Sequence, residues 1–243
     1  MNYDPGDLLW LPLGGAGEIG MNLSLYGHNG KWLMVDCGIT FSDDRMPSID
    51  VLVPDIQFIA EQKENLVGLV LTHAHEDHLG AVAHLWERLQ CPVYATPFAC
   101  GLLRRKLGEA GLERRVSITE VPPGGGVSVD PFSVEFIQLA HSVPQTQALV
   151  IDTPAGRVLH ASDWKLDPEP LLGPPTDEQG LRAAGKKGLV AMMCDSTNVF
   201  VDGHTGSEGP LRKSLADIVA VQTGRVVVTL FASNVARMES AIK

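Results

Sequence analysis

The spacing of apolar residues changes several times along the chain, and each change predicts a new element. Residues 8–13 form a short apolar run. Residues 21–28 partly alternate, with Leu23 and Leu25 on one face and Asn22, Ser24 and Tyr26 on the other. His28-Asn29-Gly30 carries an Asn-Gly turn signal, and residues 31–36 read as the returning strand, so the chain opens as a β-meander. Residues 67–71 are a fully apolar strand, followed by a polar loop over 72–78. Val82, Leu85, Trp86 and Leu89 then fall at helical spacing within 80–89. A strand over 91–95 and a helix over 97–110, with Pro97 in its first turn, complete this half.

From residue 116 onward the period shortens. The runs 116–120, 132–139, 148–152 and 157–161 read as strands, separated by Pro122-Pro123-Gly124-Gly125-Gly126 and Pro154-Ala155-Gly156 turns. Residues 172–187, rich in Pro, Gly and charge, read as a surface excursion. Residues 189–194 predict a buried strand, 209–222 an amphipathic helix, 225–230 a strand, and 234–243 the start of another helix. Strand blocks with helices between them predict an α/β sandwich, with each chemically interesting segment just after a strand.

Composition narrows the class. The 243 residues are 44% hydrophobic and 20% charged, which suits a packed core. Nineteen basic against 29 acidic residues give a formal charge of −10, the opposite of the global signature of a non-specific nucleic-acid binder. No run reaches the ~18 apolar residues of a membrane span, and the polar first residues do not read as a secretory signal. Four cysteines (Cys37, Cys91, Cys100, Cys194) without a CxxC pair read as reduced thiols of a cytoplasmic protein.

Gly15-Ala16-Gly17-Glu18-Ile19-Gly20 imitates a dinucleotide-binding fingerprint, with the acidic Asp36 downstream. That motif requires a helix to open at the glycines, to receive the pyrophosphate. Strand and turn follow here instead, so a tight glycine turn between two strands is expected.

The chemistry concentrates in His73-Ala74-His75-Glu76-Asp77-His78, three histidines and two carboxylates in six positions of a chain with eight histidines. Imidazole and carboxylate are ligands for zinc, and also for manganese or iron. In an extended loop His73 and His75 point the same way and can grip one ion. Asp77 and His78, where the loop turns into a helix, can reach a second. His141 and Asp163 end later strands and can complete the sites; a carboxylate such as Asp163 is suited to bridging two cations. Asp36, at the end of an earlier strand, is placed to orient a ligand histidine from behind.

His73-x-His75-x-Asp77-His78, His141, Asp163 and the upstream Asp36 together resemble the metallo-β-lactamase superfamily. Leu13-Gly14-Gly15-Ala16-Gly17-Glu18-Ile19-Gly20-Met21-Asn22, Val35-Asp36-Cys37-Gly38, His141-Ser142-Val143-Pro144, Asp163-Trp164-Lys165-Leu166-Asp167, Asp195-Ser196-Thr197-Asn198 and Phe231-Ala232-Ser233-Asn234 resemble its β-CASP nuclease branch, in particular the ribonuclease J family. The resemblance implies an αββα sandwich with an incomplete second half over residues 1–205, and the beginning of a β-CASP domain over 206–243. It implies two Zn²⁺, with Mn²⁺ possible: His73, His75 and His141 on one, Asp77 and His78 on the other, and Asp163 bridging. It implies catalytic roles for Asp77 and for Asp195, an acid that supports a catalytic histidine, and substrate-phosphate contacts at Ser196, Thr197, Asn198, Ser233 and Asn234. The implied activity is hydrolysis of RNA phosphodiesters, 5′→3′ exonucleolytic and endonucleolytic, in a cytoplasmic homo-oligomer.

Two departures temper these expectations. The family's β-CASP domain should continue well beyond Asn234, and no histidine follows His204, so the catalytic histidine and a last ligand for the second metal are missing from this sequence. Lys165, Lys186, Lys187, Arg212 and Lys213 could line a path for RNA, or simply form a solvated face. The alternatives are a small-molecule metallohydrolase acting on a lactone, thioester or β-lactam, and an inactive RNA-binding module.

Overall fold

The computed structural model describes residues 4–44 and 46–243. The meander forms as expected: β1 (Leu9–Gly14), β2 (Leu23–His28) and β3 (Lys31–Val35) pair antiparallel in sequence order. β4 (Thr40–Phe41) and β5 (Val51–Leu52) make a small separate ribbon. The short helix α1 (Gln57–Ala60) leads to β6 (Leu66–Val70), which lies parallel to β3. Next come α2 (Glu76–Leu79), α3 (Val82–Leu89), β7 (Val93–Ala95), α4 (Pro97–Glu109) and β8 (Ile118–Glu120). Pro97 opens α4 at a position where the missing N–H costs nothing. The second half contributes β9 (Gly126–Val129), β10 (Phe132–Leu139), β11 (Thr146–Thr153), β12 (Gly156–His160), α5 (Glu178–Lys186), β13 (Ala191–Met193), α6 (Glu208–Ala220) and α7 (Val235–Ile242).

Two mixed sheets result, ordered β1-β2-β3-β6-β7-β8 and β13-β12-β11-β10-β9. The period-two alternation of each central strand divides the core into layers. In β3, Leu33 and Val35 face the second sheet, while Trp32 and Met34 face helices α1, α3 and α4. In β10, Val134 and Phe136 face the first sheet, while Ile137 and Leu139 face α5. Helix, sheet, sheet, helix is the expected αββα order; β3 is apolar on both faces because both are covered, while the outer face of β10 is apolar only where α5 covers it, at Ile137 and Leu139, and carries the exposed Ser133 and Glu135 before that.

Three elements differ from the sequence reading. The excursion over 172–187 holds a helix, α5, whose cap Asp177 accepts a hydrogen bond from the Gly180 N–H at 2.9 Å. The strand expected over 189–194 shrinks to β13, on the edge of its sheet, with Val190 67% and Met192 58% exposed rather than buried. Residues 225–230 form no ladder, and Val227 is 77% exposed. The run of β-branched residues Val226, Val227, Val228 and Thr229 favours a strand there, but a strand needs a neighbour to accept its backbone groups. Among the described residues no strand lies beside this segment.

Candidate metal centre

The parallel pairing of β3 and β6 brings Asp36 and Thr72 side by side at the C-terminal ends of their strands. The Asp36 N–H donates to the Val70 carbonyl at 2.9 Å. Its carboxylate accepts from the Thr72 N–H at 2.8 Å and the Thr72 hydroxyl at 2.8 Å, and lies 2.7 Å from His78 Nδ1. Asp36 holds a left-handed φ of 60°, as does Ser162 at 53°; such strained residues tend to gather at functional sites. β10 delivers His141, and β12 delivers Asp163.

These strand ends converge. His73 Nε2 is 3.1 Å from His75 Nδ1, His141 Nε2 is 3.2 Å from His75 Nδ1, and Asp163 Oδ2 is 3.4 Å from His141 Nε2. His78 Nε2 lies 3.2 Å from Asp163 Oδ1 and 3.6 Å from Asp77 Oδ2. Two donor clusters follow, His73-His75-His141-Asp163 and Asp77-His78-Asp163, each with its donor atoms within 4.8 Å of one another. Asp163 belongs to both, one oxygen toward each.

The donor chemistry fits divalent cations. The Ser162 hydroxyl donates to Thr72 Oγ1 at 2.8 Å, and the Thr72 hydroxyl donates in turn to Asp36. His73 Nδ1, 3.1 Å from Thr72 Oγ1, is therefore the protonated nitrogen of its ring, and its Nε2 turns a lone pair inward. His75 Nε2 faces the Ser233 carbonyl at 3.4 Å, which only accepts, so its Nδ1 lone pair also points inward. Asp36 likewise accepts a hydrogen bond from His78 Nδ1–H, so Nε2 is the nitrogen that faces the site. Inward lone pairs about 3.3 Å apart are the spacing of nitrogens sharing a tetrahedral zinc at 2.0–2.1 Å.

Electrostatics sort the ligands. Burial drives the His73 pKa well below its ordinary value, and the charge of His78 adds to this. Burial and the neighbouring His141 and His78 push His75 down to about 4. Both rings are thus neutral at pH 7, as metal ligands must be. At His78 burial opposes charge, but Asp36 and Asp163 outweigh it and raise the pKa well above the usual value. At Asp163 burial is likewise outweighed, by hydrogen bonds from His141 and His78, and the carboxyl is held well below the carboxylate range. Burial raises Asp77. Behind the site the buried Tyr26 hydroxyl lies 2.9 Å from His160 Nδ1, and burial pushes His160 down to about 4.

His73, His75, Asp77, His78, His141, Asp163 and Asp36 therefore share one site. The other expected residues lie at or beyond its rim. The Asp195 carboxylate accepts from the Thr197 N–H at 2.8 Å and the Thr197 hydroxyl at 2.6 Å, in an exposed turn that also holds Ser196 and Asn198. Ser233 reaches the centre through its carbonyl. The Asn234 side chain caps α7, accepting from the Arg237 N–H at 2.9 Å. Three of the five basic residues are spent on carboxylates: Lys165 on Asp167, Arg212 on Glu239 and Lys213 on Asp217. Sequence reasoning gives no role to Asn22, Thr72 or Ser162, nor to Ser142, whose Oγ lies 3.2 Å from His75 Nε2. Thr72 and Ser162 meet across 90 positions, and only the fold brings them together.

A family model described as the metallo-beta-lactamase superfamily matches residues 17–229. The chain is 48% identical over 238 residues to a protein named Ribonuclease J from Sinorhizobium meliloti, a match covering 96% of this chain and 42% of that one. It is 38% identical over 239 residues to Ribonuclease J of Mycolicibacterium smegmatis, covering 98% of this chain and 42% of the relative. Ribonuclease J of Helicobacter pylori (strain J99) is 36% identical over 233 residues, or 34% of its own length. The chain thus spans about two fifths or less of these curated relatives. A crystal structure of a protein of unknown function from Enterococcus faecalis V583 superposes with a TM-score of 0.67 at 16% identity, over 97% of this chain and 63% of that one.

Proposed function

Because the chain belongs to the metallo-β-lactamase superfamily, we propose that its two donor clusters hold a pair of divalent cations that serve hydrolysis of RNA phosphodiester bonds. The observation that carries this reading is Asp163, one carboxylate with an oxygen in each cluster. The relatives named Ribonuclease J support RNA as the substrate. His73, His75, His141 and Asp163 would hold one cation, and Asp77, His78 and Asp163 the other, with zinc the first candidate and manganese the second. Such a pair, when bound, lowers the pKa of water toward neutrality and neutralises phosphate charge.

The chain's own residues do the rest. Asp36, Thr72 and Ser162 fix the ring protons of His73 and His78 on the outer nitrogens. Asp77, at the partly open edge of the site, orients the attacking water and accepts its hydrogen bond. Asp195 serves as the acid that supports a catalytic histidine, and Ser196, Thr197, Asn198, Ser233 and Asn234 line the approach of the RNA backbone. Residues 1–205 form the hydrolase domain and 206–243 begin the β-CASP domain. Exonucleolytic and endonucleolytic cleavage, homo-oligomer formation and a cytoplasmic setting belong to the same reading.

The test sets RNA bearing a 5′-monophosphate beside a lactone and a thioester, with added zinc or manganese. RNA cleavage that disappears in His75→Ala and Asp77→Ala is expected. Turnover of the lactone or thioester with RNA left intact would overturn the assignment.

A further inference from the structure

The glycine-rich loop between β1 and β2 opens no helix, and it ends at the metal centre. Its last residue, Asn22, makes more contacts to the smaller cluster than its backbone pairing requires. The Asn22 backbone N–H donates to the Asp77 carbonyl at 2.9 Å, and its side-chain Nδ2 donates to the same carbonyl at 3.0 Å. A carbonyl only accepts, so the amide orientation is fixed. Nδ2 also lies 3.3 Å from Asp77 Oδ2 and 3.1 Å from His78 Nε2, the two donor atoms this pair turns inward.

The loop glycines make this approach possible. A Cβ on Gly14 would lie 2.1 Å from the Met21 carbonyl oxygen, and one on Gly15 would lie 2.3 Å from Asn22 Oδ1. Gly15 also sits at φ +80°, where a side chain is strained. On the far side, a Cβ on Gly38 would lie 1.6 Å from the Asp77 carbonyl oxygen, and the Gly38 N–H donates to the Asn22 carbonyl at 3.0 Å. Glycine on both flanks therefore lets Asn22 clamp the turn that carries Asp77 and His78.

We propose that Asn22 is a positioning residue for the second cation: its amide fixes Asp77 and His78 at the separation and direction in which both can bind one ion. The proposal rests on the two-cation reading above. It assigns the glycine run a mechanical role, seating this amide. Asn22 touches neither His73, His75 nor His141 in any contact described, so its influence is confined to the three-donor cluster.

Cobalt(II) titration, followed by visible absorption and calorimetry, tests this on the metal-free 243-residue chain. Wild type should bind in two steps. Asn22→Ala, and Asn22→Leu of similar size without a donor, should leave the first step unchanged and weaken the second on the order of 10-fold or more. Thermal melting of the metal-free variants reports whether the fold survives. An unchanged or tighter second step overturns the positioning role. Equal weakening of both steps with a lowered melting temperature also overturns it, since that is what a purely structural asparagine would give. Failure of wild type to take up a second ion would instead contradict the two-cation reading, and the role of Asn22 with it.

Discussion

Asp36 Oδ2 lies 2.7 Å from His78 Nδ1, with both side chains almost fully buried, although Asp36 follows strand β3 and His78 lies in helix α2. The contact fixes which nitrogen of His78 carries its proton and leaves Nε2 for the site. Asp36→Asn keeps the shape but presents an amide N–H or a neutral oxygen in place of the carboxylate. Metal affinity at the three-donor cluster should fall about 10- to 100-fold, with the four-donor cluster little changed. Competition with a chromophoric chelator measures both.

The clusters differ in donor number, four against three. One ion should therefore leave first. Mild chelation of the loaded chain, followed by metal analysis, is expected to pass through a one-ion plateau. Parallel loss of both ions would show that the extra imidazole confers no advantage.

His160, behind the site, supplies a pH test on a residue that is not itself a ligand. Its pKa is pushed down by burial from 6.5 to about 4. Above pH 6.5 it is neutral folded or unfolded. Between about 6.5 and 4 only the unfolded chain binds the proton, so stability present at neutral pH drains away as the pH falls toward 4. His78, whose pKa is raised, pulls the opposite way, so a variant is needed to isolate the effect. In His160→Asn the stability lost between pH 7.5 and 5 should be smaller than in wild type, by on the order of 1 kcal/mol. Urea unfolding at the two pH values checks the difference.

The layer between the sheets rests on Phe136, 1% exposed and in contact with both sheets' apolar faces. Phe136→Ala should cost about 3–5 kcal/mol through lost burial and the cavity left behind. Phe200, 96% exposed, should tolerate alanine within about 0.5 kcal/mol. Urea midpoints of the two variants separate a sandwich core from a surface aromatic.

Much of this architecture is legible in the sequence because period and burial coincide in it. The alternation of residues 132–139 survives as β10, and the helical spacing of Val82, Leu85, Trp86 and Leu89 becomes the buried face of α3. His73 to His78 stand out because unusual residues crowd a short segment. Asn22, Thr72 and Ser162 do not: each is an ordinary polar residue whose meaning lies in a partner 55 to 90 positions away. Residues 225–230 mislead for a related reason, since strand propensity names a segment that could pair without naming its partner.

The most direct measurement is a crystal structure of the zinc-soaked chain with anomalous data collected at the zinc edge. The account predicts two peaks on either side of Asp163, one within bonding distance of His73, His75 and His141, the other of Asp77 and His78. A single peak, or peaks away from Asp163, would contradict it.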